Sequence, residues 1–277
     1  MTFEPAPLEI QASPWAARRA RARELRERHP FASELLTLYL ALLPVQEDAW
    51  SAARESPPDP ALLAHWAADR VLPAVVQATA AAGPAALGKA ARSHLAAGTA
   101  TEALAGWLAD EELEPVERYL ARASLAPVLE ALGDGAGAAC AAAADAADGS
   151  VCPCCGGPPQ VSYVAATGDS LVSGGRSLLC ARCGSSWSCS RSVCPACGEG
   201  GEARLTTYSE HWGSDAAPLF PHLRVAGCET CRRYLIEVDL ARDARAVPEV
   251  DELTALPLDL HAADQGLTKL TPNLMGF

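Results

Sequence analysis

Four Cys-x-x-Cys pairs in the second half of the chain constrain its fold more than any other feature. They are Cys152/Cys155, Cys180/Cys183, Cys194/Cys197 and Cys228/Cys231. Two cysteines at this spacing lie on one tight turn and offer both sulfurs to the same metal ion, and two such turns complete a tetrahedral four-thiolate site. The sequence therefore predicts two metal ions per chain, with these eight cysteines as the metal ligands.

The residue that follows each pair bears on the shape of the turn. Glycine follows three of the pairs, as Gly156, Gly184 and Gly198, and glycine adopts a positive φ without the steric penalty that other residues meet. Arg232 follows the fourth pair instead. We therefore expect a slightly weaker turn geometry at the fourth pair.

Two pairings of the four turns are compatible with the spacing. Sequential pairing joins the first turn to the second and the third to the fourth, with a hairpin between the two turns of each module. Interleaved pairing would cross-brace the two modules, and the short interval between Cys183 and Cys194 leaves it open. We favour sequential pairing, because each module would then close a small core of its own.

The ligand set also bears on the metal and on catalysis. Tetrahedral thiolate sites accept both zinc and iron, so the sequence does not choose between the two metals. A catalytic zinc keeps one open coordination position, whereas both sites here are closed, and we predict no catalytic residues and no enzyme. The remaining thiols and two histidines near the pairs are interpreted as structural or incidental: Cys140, Cys154, Cys189, His211 and His222.

The first half of the chain is predicted to be helical. Its leucines and tryptophans recur at helical spacing, and prolines mark several helix starts. The expected helices cover 14–28, 32–43, a segment opened by Asp59-Pro60, 84–97, 99–109 and 114–132. A Gly- and Ala-rich linker follows over 133–150, and short β-type runs alternate with turns after Gly149. The predicted architecture is a multi-domain α plus small β protein.

The net charge of the chain and its expected cellular compartment narrow the possible classes of protein further. The formal net charge is −12 and the pI is near 4.9, which argues against nucleic acid as the main partner because phosphate binding needs a basic surface. Met1–Ile10 lacks the pattern of a secretory signal, and the apolar run Leu35–Leu43 is too short to span a bilayer. We expect a soluble cytoplasmic protein without membrane insertion, whose reduced thiols bind metal.

The metal-binding half resembles the formate dehydrogenase accessory protein (FdhE) family. The resemblance rests on five segments in order: Cys152-Pro153-Cys154-Cys155-Gly156, Leu178–Gly184 with Trp187, Cys194-Pro195-Ala196-Cys197-Gly198, Cys228–Leu235, and the tail Asp251–Leu260. These segments cover most of residues 150 to 265. The helical half fits the family's architecture without contributing a motif.

The resemblance implies a cytoplasmic factor that matures formate dehydrogenase by binding its catalytic subunit, before export through the twin-arginine pathway. It implies rubredoxin-like modules in which iron is a known occupant, and it carries the ligand role to each of the eight paired cysteines. The corresponding domains are 1–148 (helical), 149–190 (first four-cysteine module) and 191–277 (second four-cysteine module with the tail). Two alternatives stay open: a rubredoxin-like redox protein acting on the client, and a zinc-ribbon nucleic-acid-binding protein.

Overall fold

The structure is a computed structural model that describes residues 13–140, 149–165, 174–210 and 218–276. A helical region comes first and a small sheet follows, with two further helices near the end of the chain. The helices are α1 Pro14–Arg28, α2 Ser33–Glu55, α3 Leu63–Arg70, α4 Leu72–Ala82, α5 Ala85–Ala97, α6 Ala100–Leu108, α7 Pro115–Leu132, α8 Pro248–Asp251 and α9 Leu256–Asp264. The predicted fold class is confirmed.

Proline and acidic residues begin several helices at the predicted points. Asp59 accepts a hydrogen bond from the backbone of Ala61, which caps the short helical turn before α3. Pro73 lies in the first turn of α4 and separates that helix from α3. Glu114 and Glu117 form a reciprocal capping box at the start of α7.

The predicted end of the second helix at Leu43 is wrong. Helix α2 continues through Pro44 to Glu55, although a proline inside a helix costs about 3 kcal/mol. The turns beyond the proline are buried against α7, and the Gln46 side chain donates a hydrogen bond of 3.1 Å to the Ala123 carbonyl. Burial of these turns outweighs the lost helical hydrogen bond.

The strands form one mixed sheet. They are β1 Pro159–Val164, β2 Arg176–Cys180, β3 Ser186–Ser188, β4 Leu205–Tyr208, β5 Leu223–Cys228, β6 Arg233–Asp239 and β7 Thr268–Lys269. The order is β3-β2-β1-β6-β5-β4, and β7 pairs with β6. The strands β1 to β3 and β4 to β6 are antiparallel within their predicted modules, whereas β1 and β6 join the modules in parallel and β7 pairs in parallel with β6. The three-domain division stays a prediction.

Buried residues form three clusters in the described part of the chain. One fills the helical region and includes all four cysteines of the first two turns. A second lies between the sheet and α9, and a third joins α1 and α2 to the segment around Val250. The expectation that each module closes a core of its own therefore fails for the first module, whose cysteines belong to the helical core.

Two kinds of element were not predicted. The short strands β3 and β7 have two or three residues each, too few for an alternating pattern to show. Helices α8 and α9 lie in a tail that was recognised only as a motif. In the described ranges, none of the helices combines the length and the apolar character that crossing a bilayer requires.

Candidate metal centres

The first four-cysteine cluster is fully buried. Cys152 and Cys155 lie on the turn before β1, and Cys180 and Cys183 lie on the turn that ends β2. The Sγ atoms of Cys152 and Cys183 are 3.7 Å apart, and those of Cys155 and Cys180 are 3.4 Å apart. The first hairpin therefore brings its two turns to one point, as sequential pairing predicts.

The second cluster has the same plan but lies nearer the surface. The turn of Cys194 and Cys197 precedes β4, and the turn of Cys228 and Cys231 connects β5 to β6. The Sγ distances are 3.8 Å from Cys194 to Cys231 and 3.8 Å from Cys197 to Cys228. Cys197 is exposed and Cys231 is half-buried, so this cluster is open to solvent on one side.

These distances fit a tetrahedral metal ion. A tetrahedron with metal–sulfur bonds of about 2.3 Å separates neighbouring sulfurs by about 3.8 Å. All four ligand atoms in each cluster lie within 4.8 Å of one another. Each cluster could therefore hold one metal ion, and the four thiolates would leave no open coordination position.

Backbone geometry explains why the turns have this shape. Gly156 and Gly198 have φ of +71° and +73°, and their amides donate 2.8 Å and 2.9 Å bonds to the carbonyls of Cys152 and Cys194. Arg232 has a φ of +58° and makes the equivalent 2.9 Å bond to Cys228. The expected weakening at the fourth turn takes the form of backbone strain, while the hydrogen bond of the turn is kept.

Three further cysteines lie outside the two clusters. A hydrogen bond from the Cys140 thiol to Cys155, followed by contacts with other cluster thiols, holds the pKa of Cys155 well below its usual range; the same bond and burial raise the pKa of Cys140. Burial raises the pKa of Cys154 to about 12, and its thiol donates a 3.0 Å hydrogen bond to the Gly133 carbonyl. Burial also raises the pKa of Cys189. Among the described residues, none of the three joins a four-cysteine cluster.

Of the two histidines considered as substitute ligands, the structure describes only His222, which does not join either cluster. His222 is buried beside Asp251, with 2.7 Å between its Nε2 and the carboxylate. His211 lies outside the described residues. The contact of Cys140 with Cys155 could not have been predicted, because no spacing rule connects a cysteine in the linker to the first turn.

The surroundings of the two clusters also differ. Beside the first cluster, the buried Arg182 guanidinium lies 5.6 Å from the ring centroid of Trp107 in α6 and pairs with Asp110. These contacts fix the second turn to the helical region. Beside the second cluster, Thr230 donates a 2.7 Å hydrogen bond to Glu199 at an exposed position. That contact links only the two turns of the cluster.

The known proteins with similar sequences are FdhE homologues. The chain matches no family model. It is 31% identical to an FdhE homologue of Aquifex aeolicus over 126 residues, which are 46% of this chain and 41% of that protein. It is 34% identical to an FdhE homologue of Pseudomonas putida over 124 residues, 45% of this chain and 37% of that protein.

Structural similarity extends over nearly the whole chain. The crystal structure of the FdhE protein from Pseudomonas aeruginosa matches with a TM-score of 0.67 and 26% sequence identity, covering 96% of this chain and 97% of that one. The chain is therefore similar to FdhE proteins in part of its sequence and in its fold. The sequence matches span less than half of the length of these curated FdhE homologues. The structural match covers the helical region as well as the cysteine modules of this chain.

Proposed function

We propose that this chain is a non-enzymatic accessory factor in the cytoplasm, required for the maturation of formate dehydrogenase, and that it binds the catalytic subunit of that enzyme. The observation that carries the proposal is the pair of closed four-cysteine clusters within a fold shared with an FdhE protein over 96% of the chain. The resemblance to the FdhE family indicates that the client enzyme is formate dehydrogenase. The closed clusters support a role in binding and assembly.

The proposal includes the metal ligands. Cys152, Cys155, Cys180 and Cys183 would hold one ion, and Cys194, Cys197, Cys228 and Cys231 would hold the other. The sulfur spacing supports thiolate ligation. The bound metal, iron or zinc, supplies a four-way cross-link between two turns, and iron also supplies a one-electron redox centre.

The test is affinity purification of the tagged chain from its native cytoplasm, with metal analysis of the same sample. We expect the formate dehydrogenase catalytic subunit among the specific partners and two metal equivalents per chain. Deletion of the gene should abolish formate dehydrogenase activity, and the wild-type gene should restore it. Activity that persists after deletion, with no dehydrogenase subunit captured, contradicts the proposal.

A second candidate function is electron transfer to the client. The exposure of Cys197 supports it, because a redox centre exchanges electrons with a partner only where a ligand is close to the surface. The measurement is the visible spectrum of the natively purified protein during reduction. A reversible iron(III)/iron(II) change that is lost in Cys197→Ser supports electron transfer. Two equivalents of zinc in the native protein leave only the assembly role.

A further inference from the structure

An arginine-lined pocket of about 220 Å³ lies beside the second metal cluster. Alternation along β5 and β6 places one face of both strands, including Val225 and Ile236, in the core against α9. The other face of the same strands therefore carries Arg224, Arg233 and Glu237, which line the pocket. The loop that contains Arg191 and the start of β2 form its walls.

The strand register explains why the charges converge. Arg224 of β5 is directly opposite Glu237 of β6, and Ser162 of β1 is opposite Glu237 on the other side. Arg176 pairs with Val164, one position further along the same face. The strands β2, β5 and β6 thus place Arg176 on one side of the Glu237 carboxylate and Arg224 on the other.

Arg224 has a second acidic partner, because its Nη2 donates a 2.5 Å hydrogen bond to Asp239, but the Glu237 carboxylate does not satisfy Arg176. Its oxygens lie 3.5 Å from the Nε of Arg176 and 3.5 Å from the Nε of Arg224. The side chain of Arg176 is only 4% exposed, and its buried Nε has no hydrogen-bond partner. Such orphaned buried donors are rare in folded proteins and call for an acceptor.

The remaining two arginines add further positive charge. Arg191 and Arg233 are exposed at the pocket. Within the described ranges, the ion pairs and side-chain hydrogen bonds involve neither of them. Four arginines and one glutamate therefore line this pocket, with Asp239 paired to Arg224 beside it, in a chain of net charge −12.

We propose that this pocket binds a small oxyanion ligand, a carboxylate or a phosphate. Guanidinium groups match both chemistries, since they donate two parallel hydrogen bonds to a planar or tetrahedral oxyanion. The volume is below the roughly 300–1,000 Å³ typical of sites for drug-sized ligands. It suits a small organic acid or inorganic phosphate. This inference does not depend on the role in formate dehydrogenase maturation.

A competing explanation comes from the adjacent cluster. Cys194 and Cys228 also line the pocket, and four thiolates around a divalent ion carry a net charge of −2. The arginines would then serve only as counter-charges that keep the metal bound. The two explanations differ in what is lost when the exposed arginines are neutralised, either the oxyanion or the metal.

The experiment is isothermal titration of the metal-loaded full chain with inorganic phosphate and, separately, with malonate, at constant ionic strength and with sodium chloride as the reference. We expect saturable binding of at least one of the two probes. Arg191→Gln and Arg233→Gln should each weaken it by at least about threefold, because each removes a charged donor. Arg92→Gln, an equal change at an exposed site on α5, is the control and should leave the affinity unchanged.

Each result decides the proposal. Tighter binding of phosphate or of malonate identifies the class of oxyanion, and either outcome supports the proposed site. Absence of saturable binding overturns it, as does equal weakening in Arg92→Gln. Metal content is measured on every variant. If the Arg191/Arg233 double variant loses the second metal in buffer free of both probes, the arginines are counter-charges and the oxyanion site is rejected.

Discussion

The two four-cysteine clusters are built from the same local turn but lie in different environments. All four cysteines of the first cluster are buried and belong to the core of the helical region. In the second cluster Cys197 is exposed and Cys231 half-buried, and the three cores of the described residues include none of its cysteines. A metal bound in the first cluster would hold the helical region and the sheet together, whereas one in the second would hold only two turns.

A Cys-x-x-Cys motif therefore does not by itself determine how much its bound metal contributes to the stability of the whole protein. Structural zinc contributes about 10–16 kcal/mol to the folding of finger-sized peptides, which is comparable to the whole stability of a typical domain. Where the cluster is part of a large core, the metal also stabilises the helices packed around it. Where the cluster is peripheral, its loss has local consequences.

Loss of one ligand in each cluster should give the largest difference. We expect Cys155→Ser to lower the melting temperature by at least about 10 °C, because several kcal/mol are lost from the main core. Cys197→Ser should lose one metal equivalent and shift the main transition by less than about 4 °C. Circular dichroism melts with metal analysis make the measurement. Equal shifts in the two variants would show that both clusters belong to one cooperative unit.

Metal removal should separate the clusters kinetically. A chelator reaches the second cluster through the exposed Cys197, whereas the first releases its metal only when the surrounding core opens. We expect two phases of release that differ by at least about tenfold in rate, equivalent to about 1.4 kcal/mol in barrier. Stopping the reaction after the fast phase should leave one equivalent, retained in Cys197→Ser as well. Release in a single phase would remove the distinction.

The contacts around each cluster offer a smaller test. Arg182→Ala removes a buried guanidinium that packs on Trp107 and pairs with Asp110. Buried cation–π contacts contribute about 2 kcal/mol, so the melting temperature should fall by about 4–8 °C. Thr230→Ala changes the equivalent turn position in the second cluster, where only an exposed hydrogen bond is lost, and should shift it by less than about 1 °C. A larger effect at Thr230 would reverse the ranking.

The fourth turn should give the smallest effect. Arg232 has a positive φ and pairs with Glu229 and the Gln265 carbonyl. Arg232→Ala keeps the strain and loses both contacts, whereas Arg232→Gly relieves strain of about 1 kcal/mol. We expect the glycine variant to hold the second metal more firmly than the alanine variant, by about fivefold in chelator half-life. Identical half-lives would mean that the backbone at this turn is unstrained.

Sequence patterns anticipated the elements with strong local signals. The start of α1 at Pro14 and the position of α7 near 114–132 were anticipated, because proline at a helix start and helical spacing act among neighbouring residues. The end of α2 was misplaced, because burial beyond Pro44 depends on partners far along the chain. Strand β3 was missed, since three residues pair only because β2 is already in place.

The sequence by itself determined the number of four-cysteine clusters and the turns that form them, because Cys-x-x-Cys spacing and a following glycine act within five residues. It also determined that the first half is helical. Only the tertiary structure decided which cluster is buried, that Cys140 contacts Cys155, and that four arginines meet at one pocket. Burial and charge convergence depend on how distant strands and helices pack, and cysteine or arginine positions carry no periodicity that reports such packing.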